Sequence, residues 1–89
     1  MAMANIDNII RREIEHKHTG GSVIKGKLIA RFLNLPSSRV ADVDFNENNE
    51  VTEISLYSNA HLYIETKKIK CNDKTTDDEV YKIIVDYLW

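Results

Sequence analysis

The single proline of the chain, Pro36, interrupts an apolar stretch that covers residues 26–43. Apolar side chains before it recur at helical spacing, and a helix cannot continue through a residue that has no backbone N–H. Ser37 and Ser38 follow at once, and serine is a preferred residue at a helix N-terminus. The stretch therefore predicts two short helices separated by a tight break, the second over about residues 37–46.

The same segment, residues 37–46, has a second interpretation. Ala41, Val43 and Phe45 alternate with two aspartates, and alternation is typical of a strand with one buried face. In that case the segment would form a β-hairpin with residues 51–57. The paired serines and the proline before them favour the helix.

Periodicity predicts a helix at each end of the chain. Asn5 or Asp7 caps the first helix, which carries four isoleucines at helical spacing and ends at the glycine pair 20–21. Thr76 opens the last helix, residues 76–88, as part of a capping box.

Between these helices, three segments are candidates for strands. Residues 51–57 and 61–71 alternate as two strands about a turn at residues 58–60. Residues 22–24 form either a very short strand or the beginning of a longer helix that runs to Asn34.

The resulting order, α-β-α-α-β-β-α, resembles the winged helix-turn-helix family over about residues 5–70. Ala30 takes the place of the small residue in the first helix of the pair, Asn34 that of the turn residue, and Val40 and Val43 those of the aliphatics that lock the pair. The resemblance implies an α+β fold in one domain over residues 1–89, with the hairpin as the wing and an added C-terminal helix.

This resemblance also implies a function, sequence-specific binding of double-stranded DNA by a homodimer. The chain would be a transcription regulator, or the origin-binding domain of a plasmid- or phage-type replication initiator. On this hypothesis phosphates meet the helix before the break, bases meet the start of the second helix, and the wing tip meets an adjacent groove. The side chains assigned to DNA are Lys25, Lys27, Arg31, Ser37, Ser38, Arg39, Asn59 and His61.

Charge is distributed unevenly along the chain, whose net charge is −2. Residues 1–40 hold seven Lys or Arg against three acids, whereas residues 41–65 hold six acids and no Lys or Arg. A basic first half is consistent with a DNA-facing surface. The acidic middle segment supports an alternative function, a small phage or mobile-element interaction module or inhibitor that binds another protein. A strand at residues 38–46 would weaken the DNA hypothesis.

Three further motifs carry little chemistry. Residues 21–27 fit G-x-x-x-x-G-K, but Leu28 stands where a phosphate-binding loop needs Ser or Thr. His16 and His18 are two apart, so on a helix they face different directions and make a poor metal pair. Cys71 has no partner at a recognisable spacing. The sequence predicts no enzyme activity, no cofactor and no metal site.

The ends of the chain yield two more expectations. Tyr81, Tyr87, Leu88 and Trp89 give the last helix enough apolar surface to predict a homodimer contact. The abrupt end at Trp89 suggests a domain excised from a longer protein. One cysteine, no signal peptide and no apolar run near the ~20 residues of a membrane span predict a cytoplasmic protein without a membrane partner.

Overall fold

The computed structural model describes residues 3–89, which form two helices and five strands. In chain order these are α1 (Ile6–His16), β1 (Gly21–Lys25), β2 (Ile29–Asn34), β3 (Arg39–Phe45), β4 (Val51–Tyr57), β5 (Glu65–Lys70) and α2 (Asp77–Leu88). The strands form one antiparallel sheet in the order β1-β2-β3-β4-β5, so every strand pairs with its neighbours in sequence.

Both helices pack on the same face of this sheet and enclose the hydrophobic core. Asn5 caps α1 by accepting a hydrogen bond from the backbone N–H of Asp7, and Thr76 caps α2 in the same way through Glu79. The isoleucine stripe of α1 and the apolar stripe of α2 meet the inward side chains of the sheet. Fully buried members of this core include Ile6, Ile9, Phe32, Val43, Ile54, Val80 and Ile84.

The winged helix-turn-helix order is wrong, because both helices of the expected pair are strands. β2 and β3 pair residue by residue from Ile29 opposite Asp44 to Asn34 opposite Arg39. For β3 the alternation that competed with the helical pattern describes the structure, since Ala41, Val43 and Phe45 all belong to the core beneath the helices. With no helix between β2 and β4, residues 3–89 contain no helix pair of the expected type.

The proline and serines that favoured a helix instead build the connection between β2 and β3. The backbone N–H of Ser38 donates to the carbonyl of Asn34 at 2.8 Å. The hydroxyl of Ser37 accepts from the backbone N–H of Arg39 at 3.2 Å, and Ser38 takes a positive φ of 61°. Serine forms such local bonds equally well in turns and at helix caps, so it could not distinguish the two.

Other elements agree with the predictions in kind. The first helix, the strand at residues 51–57, the last helix and its Thr76 cap are confirmed, and residues 21–25 form a strand rather than part of a helix. The strand expected over 61–71 begins only at Glu65. Asn59 holds the preceding residues in a turn, because its side-chain oxygen accepts from the backbone N–H groups of His61 and Leu62 at 2.8 and 3.1 Å.

Gly20 joins α1 to β1 at a point where the chain has no room for a side chain. Its φ is 76°, and a Cβ atom there would lie 2.6 Å from Cδ of Pro36. The carbonyl of Gly20 also accepts from the backbone N–H of Leu35 at 2.8 Å. A glycine is therefore required both for the backbone conformation and for the close approach.

Neither helix of the described chain is long and apolar enough to cross a membrane.

Candidate interaction surface

The face of the sheet that the helices leave uncovered carries an ordered set of polar side chains. Neighbouring residues of a strand point to opposite faces, and Phe32, Ala41 and Leu56 point toward the helices. We call the other side of the sheet the open face. Its central cross-strand row is Ile24, Arg31, Asp42, Ser55 and Lys68.

An ion pair lies at the centre of the open face. Nε and Nη2 of Arg31 donate to the two carboxylate oxygens of Asp42 at 2.8 and 3.0 Å. Asp42 is only 4% exposed, and its hydrogen bonding raises the pKa of Arg31 above its usual value. Such a bidentate pair satisfies a carboxylate that would be costly to bury alone. Arg31 is therefore committed to Asp42 and does not offer a free cation to a phosphate.

The connection between β4 and β5, residues 58–64, folds back over this ion pair. The ring centroid of Tyr63 lies 4.9 Å from the guanidinium carbon of Arg31, and the same ring meets Tyr57 edge to face at 5.5 Å. The backbone N–H of Ala60 donates to the carbonyl of Ser38 at 2.9 Å, which anchors the connection to the turn between β2 and β3. This covering segment explains why Val40 is fully buried without belonging to the helix-side core.

Two carboxylates face each other beside the ion pair. Asp44 of β3 and Glu53 of β4 are direct cross-strand partners. Partial burial, and then the charges of Glu53 and Asp42, raise the pKa of Asp44. Within residues 3–89 neither carboxylate forms a salt bridge, since the nearby Lys68 contacts Glu65 at 3.5 Å instead. The charge of Lys68 acts in the opposite direction on Asp44, and Lys70 stands opposite Glu53 on β5, so the repulsion of this like-charge pair is only partly relieved.

Exposed apolar side chains surround these charges. Ile24 and Ile29 lie on the β1–β2 side, with Ile24 60% exposed. Leu62 and Ile64 are exposed in the connection that carries Tyr63. The open face therefore presents exposed apolar area beside its charged side chains.

The side chains assigned to DNA do not share one surface. Arg31 lies on the open face, whereas Arg39 turns to the helices, where it donates to the carbonyl of Tyr87 at 3.1 Å. Nζ of Lys25 is 2.9 Å from a carboxylate oxygen of Asp7 in α1.

The other five assigned residues lie in connections between strands. Lys27 is exposed between β1 and β2. Ser37 and Ser38 form the turn between β2 and β3. Asn59 and His61 belong to the connection over the open face. Because no helix presents these residues, the predicted recognition helix beginning at Ser37 is wrong.

Sequence reasoning overlooked the two tyrosines of the open face. The alternation of residues 51–57 already placed Tyr57 on the same side as Glu53 and Ser55. The position of Tyr63 had no such signal, because it depends on how a turn folds back over another strand.

His16, His18 and the end of the chain form a separate cluster on the helix side. Nδ1 of His18 lies 2.8 Å from the buried carboxylate of Glu13, and its ring stacks on Trp89 at a centroid distance of 4.3 Å. Leu88 is buried in the core. Part of the apolar surface that predicted a dimer through the last helix is therefore covered within the chain. No cluster of three or more potential metal ligands occurs in the part of the chain described.

Comparison with protein-family models, curated proteins and solved structures finds no match to this chain. Its function is therefore inferred from the chemistry of its own surfaces.

Proposed function

We propose that this chain is a non-catalytic protein-interaction module whose open face binds a basic surface of a partner protein. The observation that carries the proposal is the opposition of Asp44 and Glu53 across β3 and β4. Like charges at directly opposite positions destabilise a sheet by about 0.2–1 kcal/mol. A Lys or Arg of the partner would remove that repulsion, so the pair is a cost of the free protein that binding relieves.

The neighbours of this pair suit the same role. Tyrosine and arginine are enriched among the residues that dominate binding energy at protein interfaces. Here Tyr63 and Arg31 are held in place by each other and by Asp42, which reduces the side-chain entropy lost on binding. The exposed Ile24 and Leu62 supply apolar area around them.

The strand at residues 39–45 favours the interaction module over DNA binding, the other function considered from the sequence. A strand at these positions replaces the predicted recognition helix, from which the DNA-contacting residues were chosen. It also places Asp42 and Asp44, two acids of the negative middle segment, on the open face. DNA binding by a transcription regulator or replication initiator stays a prediction, and so does the homodimer.

Affinity capture with charge-matched variants tests the proposal. The bait is the purified chain, and the source is a nuclease-treated lysate of its native host. Asp44→Asn/Glu53→Gln should lose a partner that wild type retains. Asp73→Asn/Asp86→Asn removes the same charge from exposed positions outside the open face and should retain it. With the purified partner, calorimetry should show at least tenfold weaker binding for the first variant only. Equal binding by both variants would overturn the proposal.

A gel shift on mixed genomic DNA at two salt concentrations tests the competing function. The interaction module should not shift DNA at either concentration. A shift that weakens steeply with salt is expected of a DNA-binding protein and would contradict the proposal.

A further inference from the structure

A groove lies at the opposite side of the molecule from β5, where α1 passes beside the edge strand β1. It has a cavity volume of about 270 Å³. Ile10 and Ile14 of α1 and Val23 of β1 supply its apolar lining, and Lys17 and Lys25 lie on its border. Ile14 is 60% exposed although it points into this groove.

The outer edge of β1 has backbone hydrogen-bonding groups that no residue of the described range 3–89 pairs with. The N–H of Gly26 donates to Ile29 at 2.7 Å, and the carbonyl of Gly20 accepts from Leu35 at 2.8 Å. Because antiparallel strands alternate between inward and outward groups, Val23 and Lys25 direct their N–H and carbonyl groups away from β2. These groups could pair with one added strand.

The two edges of the sheet differ in how they discourage such pairing. β5 carries Lys67, Lys68 and Lys70 within six residues, and lysines on an edge strand oppose strand addition. β1 has the sequence Gly-Ser-Val-Ile-Lys, with a single charge at its end. The molecule therefore protects one edge and leaves the edge beside the groove open.

We infer that the β1 edge binds an extended acidic–aliphatic segment of a partner protein as a sixth, antiparallel strand. An aliphatic side chain of that segment would occupy the groove between Ile14 and Val23. Alternate residues of a strand point to the same side, so acids two positions before and after it would reach Lys17 and Lys25. The recognised pattern is acid–x–aliphatic–x–acid.

Charge complementarity selects this occupant. Glu13 is the one carboxylate among the described residues that line the groove, and it is buried and already bonded to the Tyr81 hydroxyl at 2.9 Å and to His18. The exposed charges of the groove are thus the two lysines. Lys25 contacts Asp7, but both side chains are nearly half exposed and can accommodate a further carboxylate.

A second copy of the chain suits the edge less well. Antiparallel pairing of β1 with itself about Val23 would place Lys25 of each copy opposite Gly21 of the other. Gly21 lines the same groove as Lys17, so this arrangement would bring like charges together.

Selection from a random twelve-residue peptide library, with wild-type protein as the bait, tests the inference. Enriched peptides should carry the acid–x–aliphatic–x–acid pattern. A synthetic peptide from the pool should slow hydrogen exchange at the Val23 and Lys25 amides at least tenfold. Failure to enrich the pattern, or protection confined to the open face, would refute the inference.

Matched variants locate the binding site. Ile14→Asp should weaken peptide binding at least tenfold, whereas Leu62→Asp, at an even more exposed apolar position outside the groove, should change affinity less than twofold. Lys17→Glu provides a second groove variant if Ile14→Asp unfolds. Unchanged affinity in the groove variants, or light scattering that shows β1 closed in a dimer, would reject the acidic segment. The open-face variant Asp44→Asn/Glu53→Gln should bind the peptide normally, so this result is separable from the proposed function.

Discussion

Arg31 and Asp42 stand directly opposite each other on β2 and β3 and share two hydrogen bonds of 2.8 and 3.0 Å. Because Asp42 is buried, the pair contributes to stability mainly by preventing an unpaired carboxylate in the interior. A carboxylate kept out of water without a partner is strongly destabilising, whereas an apolar pair of similar size is tolerated.

Arg31→Met should therefore lower the free energy of unfolding by about 2–4 kcal/mol. Arg31→Met/Asp42→Leu should recover most of that loss, since it also removes the buried charge. Urea denaturation of wild type and both variants measures the difference. If the double variant is no more stable than the single one, the ion pair has a structural role beyond satisfying Asp42.

Asp44→Asn should stabilise the free protein at neutral pH. The raised pKa of Asp44 means that the folded state binds its proton more readily than the unfolded chain, whose carboxyl has a usual value of 3.8. The penalty of the charged form is therefore present above the folded pKa and disappears as the pH falls below the unfolded value. We expect a gain of about 0.5 kcal/mol at pH 7 and none at pH 3.

Thermal unfolding of Asp44→Asn at the two pH values checks this expectation. Asp73→Asn, at an exposed position outside the sheet, controls for the change in net charge. A gain that persists at pH 3 would show that repulsion of Asp44 is not its source.

Gly20→Ala should destabilise the fold by about 1–3 kcal/mol, because the new Cβ meets Pro36 in a backbone region that alanine rarely adopts. Gly26→Ala is the matched control. A Cβ there would lie 3.1 Å from the nearest atom, and Gly26 has no positive φ. Chemical denaturation should rank Gly20→Ala as the more destabilising change. The reverse order would contradict the assigned geometry of the α1–β1 connection.

Tyr81 should ionise at a higher pH than a tyrosine free in solution. Burial and the hydrogen bond to Glu13 raise its pKa from the usual 10.0. The folded state keeps this proton, so the stabilisation is complete below pH 10 and decreases as the pH rises toward the folded pKa. Absorbance at the tyrosinate band should show a lagging fraction that ionises above the usual tyrosine pKa of 10.0. Tyr81→Phe should abolish the lagging fraction, whereas Tyr63→Phe should not.

Local sequence signals were sufficient to predict the helices at the two ends of the chain and strand β4. The isoleucine spacing with Asn5 predicted α1, and Thr76 predicted the start of α2. Alternation predicted the strand at residues 51–57. These features depend on side chains a few residues apart. They needed no knowledge of which strand lies next to which.

The prediction for the region around Pro36 was wrong for a physical reason. Serines after a proline serve a turn as well as a helix cap, and Phe32 fits both a helical and a strand pattern. β2 and β3 are strands rather than helices because they pair with β1 and β4. The intrinsic propensities of their residues do not describe such pairing. The arrangement of the open face could not be predicted from the sequence either, because the opposition of Asp44 and Glu53 follows from strand register.

The meander order of the sheet has a consequence for how the chain folds. Each strand finds its partner a few residues away, so little loop-closure entropy opposes the pairing of the hairpins. The helices differ, because the backbone N–H of Asn5 donates to the carboxylate of Asp77 at 2.8 Å from the other end of the chain. Docking of α1 against α2 therefore closes a loop of almost the whole chain, and its loop-closure cost exceeds that of any hairpin of the sheet.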